Sequence, residues 1–235
     1  ARCVRYITEL AMQDKSMYSP GSIGIESALS TNKVLKNTYM LLGMTLLFSA
    51  MTAGLSMVMG LGQGVAMILM LVGFGLLFVV NRLADTSKGL LAIFAFTGVM
   101  GASIGPMLSY YLAMPGGPAL VMQALGGTAV VFFGLSAYAL TTRKDFSYMG
   151  GFLMVGLLVA VVAMVANISL AIPALSLTIS AAVVMIMSGL ILFDTSRIIN
   201  GGETNYIRAT VGLYLNIYNL FIHLLALLSA FSGDD

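Results

Sequence analysis

Apolar residues run along this chain in long unbroken stretches. The stretches are Thr38–Met59, Val65–Val80, Leu90–Tyr111, Ala119–Leu140, Phe146–Leu170, Pro173–Ile199 and Tyr206–Ala230. They do not alternate with a period of two, so the strands of a membrane barrel are excluded. At 1.5 Å per residue each stretch crosses about 30 Å of hydrocarbon as a helix, the second only just. The pattern predicts an all-α membrane protein with seven spans. Connections such as Gly60–Gly64 and Met114–Pro118 are too short for anything but antiparallel neighbours. Pro173 stands where a helix begins, a place where its missing N–H costs nothing.

The first 33 residues break the pattern, with Arg2, Arg5, Glu9, Asp14, Lys15, Glu26 and Lys33 spread around Pro20-Gly21. They lack the charged, apolar and small-residue regions of a signal peptide. They read as a flexible polar tail with a short amphipathic helix near Val4–Met12. The chain therefore divides into a cytoplasmic tail, 1–30, and a seven-helix transmembrane domain, 31–235.

Composition agrees with the pattern and removes alternatives. Hydrophobic residues make up 59% of the chain and charged residues 9%, where a soluble domain carries about 25% charged residues. An ordinary soluble enzyme is excluded, and so is a nucleic-acid binder working through a basic surface. The single cysteine, Cys3, has no intrachain partner, and no Cys/His cluster could hold structural zinc. The residues point to no metal and no cofactor. Gly60-Leu-Gly-Gln-Gly64 follows no strand, so it reads as a short turn and not as a phosphate loop. The 18 methionines read as pliable packing between helices. No internal repeat supports an inverted-repeat transporter.

The basic residues carry the topology. Arg2, Arg5, Lys15, Lys33 and Lys36 precede the first span; Arg82 and Lys88 lie between the second and third. Arg143 and Lys144 lie between the fourth and fifth, and Arg197 and Arg208 flank the turn between the last two. The other connections carry none. Positive charge marks the cytoplasmic side, which predicts a cytoplasmic N-terminus and a C-terminus outside.

Ionisable residues inside a span are candidate functional groups. Asp194 and His223 qualify. Counting outward from the turn near Glu203–Asn205, Asp194 meets Asn216 at equal depth. Asn216, Asn219 and His223 share one face of the last helix. A polar seam of Asp194, Asn216, Asn219 and His223 is thus expected. Two readings of Asp194 stand side by side: an ion pair with Arg197 one turn away, or a buried carboxylate that senses pH or binds a cation. Calcium would want about six oxygens, and one carboxylate with two amides is a poor set. Asn216 and Asn219 fit interhelical hydrogen bonding, and His223 fits a neutral packing role.

Gly101-Ala-Ser-Ile-Gly105 matches G-x-S-x-G, which raises a Ser103–His223 hydrolase dyad. The elbow motif needs a strand–turn–helix, however, and this stretch lies within a helix. Gly98, Gly101 and Gly105 suit close helix approach instead, and Pro106 frees the carbonyl of Ala102 and kinks the span. No lysine follows Lys144, so a retinal Schiff base in the last span is excluded.

Thr97-Gly-Val-Met-Gly-Ala-Ser-Ile-Gly-Pro-Met107 and Met122-Gln-Ala-Leu-Gly-Gly-Thr-Ala-Val-Val-Phe-Phe133 resemble the signature of the Bax inhibitor (TMBIM) family. Ile191-Leu-Phe-Asp-Thr195 and Leu213-Tyr-Leu-Asn-Ile-Tyr-Asn-Leu-Phe221 are similar to its last two helices. Thr31–Tyr39, Ser136–Asp145 and Gly201–Thr210 resemble its bacterial inner-membrane branch. The resemblance implies six helices around a central one. It also implies two facing aspartates in the calcium-leak members; here Asp194 holds the first place and Asn216 the second. For the bacterial branch it implies a non-enzymatic modulator, both partner and slow substrate, of the ATP-dependent membrane protease FtsH, found with HflK and HflC. The alternative is a pH-sensitive leak for calcium or protons, with Asp194 as the sensing carboxylate.

Overall fold

The computed structural model describes the backbone of residues 20–232 and the side chains of residues 31–232. The described residues form helices and connecting turns, with no strand. In chain order the helices are α1 (Pro20–Val58), α2 (Gln63–Leu83), α3 (Gly89–Leu112), α4 (Gly117–Thr142), α5 (Met149–Leu170), α6 (Pro173–Ile199) and α7 (Tyr206–Ser232). All seven contain a segment long and apolar enough to cross a membrane. In α1 that segment is Thr31–Val58.

The last helix is the central one. α7 packs against α1, α2, α3, α4 and α6. Half of its most apolar stretch is buried in the bundle, against 11% for α5. Leu213, Tyr214, Leu220 and Leu225 of α7 are almost fully enclosed. α2 leans mainly on α3, and α5 on α6. Their outward faces, with Leu71, Phe74 and Phe78 on one and Phe152, Val155 and Leu158 on the other, are exposed and apolar. Such faces are stable only against lipid.

α1 and α3 form the tightest pair, and the reason lies in three glycines. Side chains added at Gly98, Gly101 or Gly105 would collide with Phe48, with Ser49 and Thr52, or with Ser56 of α1. Pro106 has no N–H for the carbonyl of Ala102. Ser56 Oγ donates to that carbonyl across the interface at 2.8 Å. The kink and the close approach are therefore one construction: the glycines bring Ser56 near enough to satisfy the acceptor that the proline orphans. Ser56→Ala leaves a buried carbonyl without a donor, and should lower stability in detergent unfolding by about 1–3 kcal/mol.

Most helix ends fall within three residues of the sequence expectation, and two of the differences have consequences. α1 begins at Pro20, so residues 20–33, read above as tail, continue the first span as helix. The helix expected at Val4–Met12 lies outside the described residues. α5 begins at Met149 instead of Phe146. Phe146 is buried before the helix starts, and its N–H donates to Ser196 Oγ at 3.0 Å. Ser196 Oγ in turn donates to the Lys144 carbonyl at 3.1 Å. Just beyond, the Ser147 N–H donates to Asp145 Oδ1 at 2.8 Å. Hydrogen bonding from Ser147 holds the exposed Asp145 carboxyl below the usual carboxylate range. The turn is thus pinned to α6, and its apolar residue packs without being helical.

Every charged residue from position 31 to 232 lies in 33–36, 82–88, 143–145 or 194–208. The up-and-down helix order gathers these segments at one end of the bundle. The opposite end has no charge among the described residues.

Candidate functional site

Asp194 lies in the last turns of α6, partly buried, at the charged end. Asn216, buried on α7, donates from Nδ2 to Asp194 Oδ2 at 2.8 Å. One turn earlier, Gly212 faces the same carboxylate; a Cβ there would stand 3.0 Å from Oδ2. The missing side chain lets Asp194 rest directly on α7. The depth-matching across the α6–α7 turn thus places the pair correctly. Asp194 also lines a cavity of about 330 Å³ with Asn81, Arg197, Glu203 and Arg208.

Arg197 does not pair with Asp194. It faces Glu203 at 3.7 Å, donates to the Gly202 carbonyl at 3.2 Å, and sits 5.5 Å over the ring of Phe193. The ion pair, one of the two readings of Asp194, gives way because the chain folds back immediately after α6. That fold brings a carboxylate and a free carbonyl to the guanidinium at the helix end, where a cation is favoured.

The turn is itself built from residues that sequence reasoning did not single out. Asn205 caps α7: its Oδ1 accepts from the N–H groups of Ile207 and Arg208 at 2.8 and 3.1 Å. Its Nδ2 donates to the Ala84 carbonyl at 2.9 Å and to Asp85 Oδ1 at 2.8 Å. Arg208 forms an ion pair with Asp85. One side chain therefore caps the central helix and ties it to the α2–α3 turn. An Asn directly before an apolar run is the signal that could have revealed the cap. Asn205→Ala should cost about 1–2 kcal/mol from the cap alone, read as a lower melting temperature, with Asn205→Asp keeping the cap.

The expected seam does not continue beyond Asn216. Asn219 Nδ2 donates to the carbonyl of Leu215 on its own helix at 2.9 Å. His223 Nδ1 bonds Ser180 Oγ of α6 at 3.1 Å. Asn219 and His223 line a separate cavity of about 420 Å³, which lies toward the uncharged end. Ser103 borders the same cavity, but its hydroxyl donates to the Met100 carbonyl at 2.7 Å and meets Tyr218 Oη at 3.1 Å. Ser103 and His223 each have other partners, so no nucleophile–base dyad is formed.

A second polar ladder, unforeseen from the sequence, runs up another face of α7. Thr210 Oγ1 donates to the Tyr206 carbonyl at 2.7 Å and reaches the Thr38 carbonyl at 3.3 Å. Tyr214 Oη bonds Ser49 Oγ at 2.8 Å, and Tyr218 Oη bonds Ser103. Residues 210, 214 and 218 stand four apart, so they stack on one side of the helix. These bonds lock the central helix to α1 and α3.

The sequence profile of the family described as "Inhibitor of apoptosis-promoting Bax1" matches residues 31–233. A protein of Escherichia coli K12 named "Modulator of FtsH protease YccA" is 54% identical over 209 residues, 88% of this chain and 94% of that one. Its counterpart in another strain of that species is named "Inner membrane protein YccA" and is equally similar. A Vibrio cholerae protein named "Uncharacterized membrane protein" is 50% identical over 212 residues, 90% of this chain and 95% of that one. A seven-helix bundle with α7 at its centre, and a profile match over the whole bundle, place the chain in the Bax inhibitor family.

Proposed function

We propose that this protein is a non-enzymatic inner-membrane modulator of the ATP-dependent protease FtsH, acting as both binding partner and slow substrate. The observation that carries this reading is the 54% identity, over 94% of its length, to the E. coli protein named "Modulator of FtsH protease YccA". HflK and HflC are the further partners this reading implies. In the same reading the charged end faces the cytoplasm, by the positive-inside rule. The N-terminus is then cytoplasmic and the C-terminus periplasmic.

The physical rationale rests on the two parts of the chain. In this reading residues 1–30, of which those from Pro20 onward extend α1 as helix, serve as a cytoplasmic handle for a pulling ATPase, since proteolysis starts at exposed termini. The bundle behind it resists extraction, with Asn205, Ser196 and the Ser56–Ala102 bond tying helices together across the chain. The protease is occupied, and its other work slows.

Two measurements test this. FtsH should be recovered with the chain after detergent solubilisation and affinity capture. Deleting residues 1–25 should lengthen the chain's half-life several-fold in cells with active FtsH; an unchanged half-life would discard the handle. The second reading, a calcium or proton leak through Asp194, has less support. Asn216 supplies an amide where a second carboxylate would share a proton, and two carboxylates, not one, titrate as a coupled pair. Ion flux in liposomes that Asp194→Asn abolished would revive it.

A further inference from the structure

We propose that the cavity at the uncharged end binds a soft monovalent cation of the Cu(I) type, with up to four ligands drawn from the thioethers of Met67, Met70, Met107 and Met164 and the imidazole of His223. These five side chains come from α2, α3, α5 and α7 and line one space of about 420 Å³. Counted from the ends of their helices, they lie about 6–14 Å deep at 1.5 Å per residue. They therefore all lie in the half of the bundle nearest the uncharged end. Met67 and Met70 are three residues apart and share a helix face. Their exposures, 63% and 45%, place them at the bundle surface, where the cavity opens.

The chemistry of the lining selects the ion. No Asp, Glu, Lys or Arg borders the cavity. A hard divalent cation would meet no carboxylate, which excludes magnesium and calcium. Zinc would have one imidazole where it needs at least three strong ligands. Thioether and imidazole donors without charge suit Cu(I), whose single charge is also the least costly to hold in a neutral lining. His223 is arranged as a ligand should be. Its Nδ1 is engaged by Ser180 Oγ at 3.1 Å, which orients the ring, and Nε2 has no hydrogen-bond partner among the described residues. The cavity around Asp194 and Arg197, by contrast, is lined by charged groups and has no thioether.

The test uses the purified full chain in detergent with Ag(I), which binds like Cu(I) and does not change oxidation state. After desalting, metal per chain is measured by mass spectrometry, and affinity by competition with a chelator. The wild type should retain one Ag(I) and no Ca(II) or Zn(II). Ser180→Ala should weaken Ag(I) binding about 10–100-fold by freeing the His223 ring. Met67→Leu with Met70→Leu, a volume-conserving change on an exposed face, should remove most of it. A measurement on the unaltered protein guards against misfolded variants. With methyl-labelled methionine, Ag(I) should shift the four cavity methyl resonances and leave those of the other methionines in place. Absence of retained Ag(I), equal retention by the double Leu variant, or shifts spread over all methionines would each overturn the site. None of these readouts depends on FtsH.

Discussion

Gly101→Val should separate α1 from α3 and destabilise the protein by about 3 kcal/mol or more. A Cβ at Gly101 would overlap the Ser49 carbonyl and the Ser49 and Thr52 hydroxyls. Two of these atoms belong to side chains that could rotate. The carbonyl belongs to the α1 backbone and cannot move unless the helix moves with it. Displacing α1 also withdraws Ser56 from the Ala102 carbonyl and Ser49 from Tyr214. Three effects then add: overpacking, an orphaned acceptor beside Pro106, and loss of one rung between the central helix and α1. Gly54 is the internal control, because a Cβ there meets nothing within 4 Å. Gly54→Ala should be neutral or slightly stabilising, since alanine favours the helix over glycine by about 1 kcal/mol. Both variants can be unfolded in mixed micelles and compared by midpoint. Equal midpoints would mean that the α1–α3 approach does not hold the bundle together.

The second large effect concerns Asp194 and Asn216. Asn216→Leu removes the amide that donates to Asp194 Oδ2 and leaves the carboxyl group facing an apolar side chain. The cost should be about 2–3 kcal/mol, because an unsatisfied buried polar group loses its water without compensation. Asp194→Leu should cost a similar amount, by stranding the Asn216 amide. The double replacement should cost less than the sum by about 1–2 kcal/mol, since it removes both polar groups together. A full cycle of unfolding free energies measures that difference. Strict additivity would show that the 2.8 Å contact contributes nothing to the fold. The Gly212→Ala variant adds a steric probe at the same carboxylate. It should fall between the wild type and the single Leu variants, because its Cβ would stand 3.0 Å from Oδ2.

Much of this architecture follows from one dimension of information. Run length decides that the helices span, and short connections make them antiparallel. The placement of Lys and Arg between alternate spans collects charge at one end. Counting from the tight α6–α7 turn puts Asp194 level with Asn216, and the structure shows them bonded. Pro106 announces a free carbonyl at Ala102 in the same way, since the missing N–H is a property of the residue.

What the sequence does not contain is the azimuth of each helix and the identity of the neighbour it faces. Seven apolar helices of similar length can pack in many rotations, and periodicity is blunt where both faces are hydrophobic. That is why Ser56 could not be named as the donor to Ala102, nor Ser49 as the partner of Tyr214, although each hydroxyl sits at a suitable depth. Arg197 and Asn219 show a second limit. Arg197 had Asp194 at helical spacing and takes Glu203 and Gly202 in the returning turn instead, while Asn219, expected to bond across helices, takes the Leu215 carbonyl of its own helix. Depth is set by the chain's own counting, whereas partnership is set by which surfaces the packed bundle brings within hydrogen-bond reach. Only the tertiary structure decides the second.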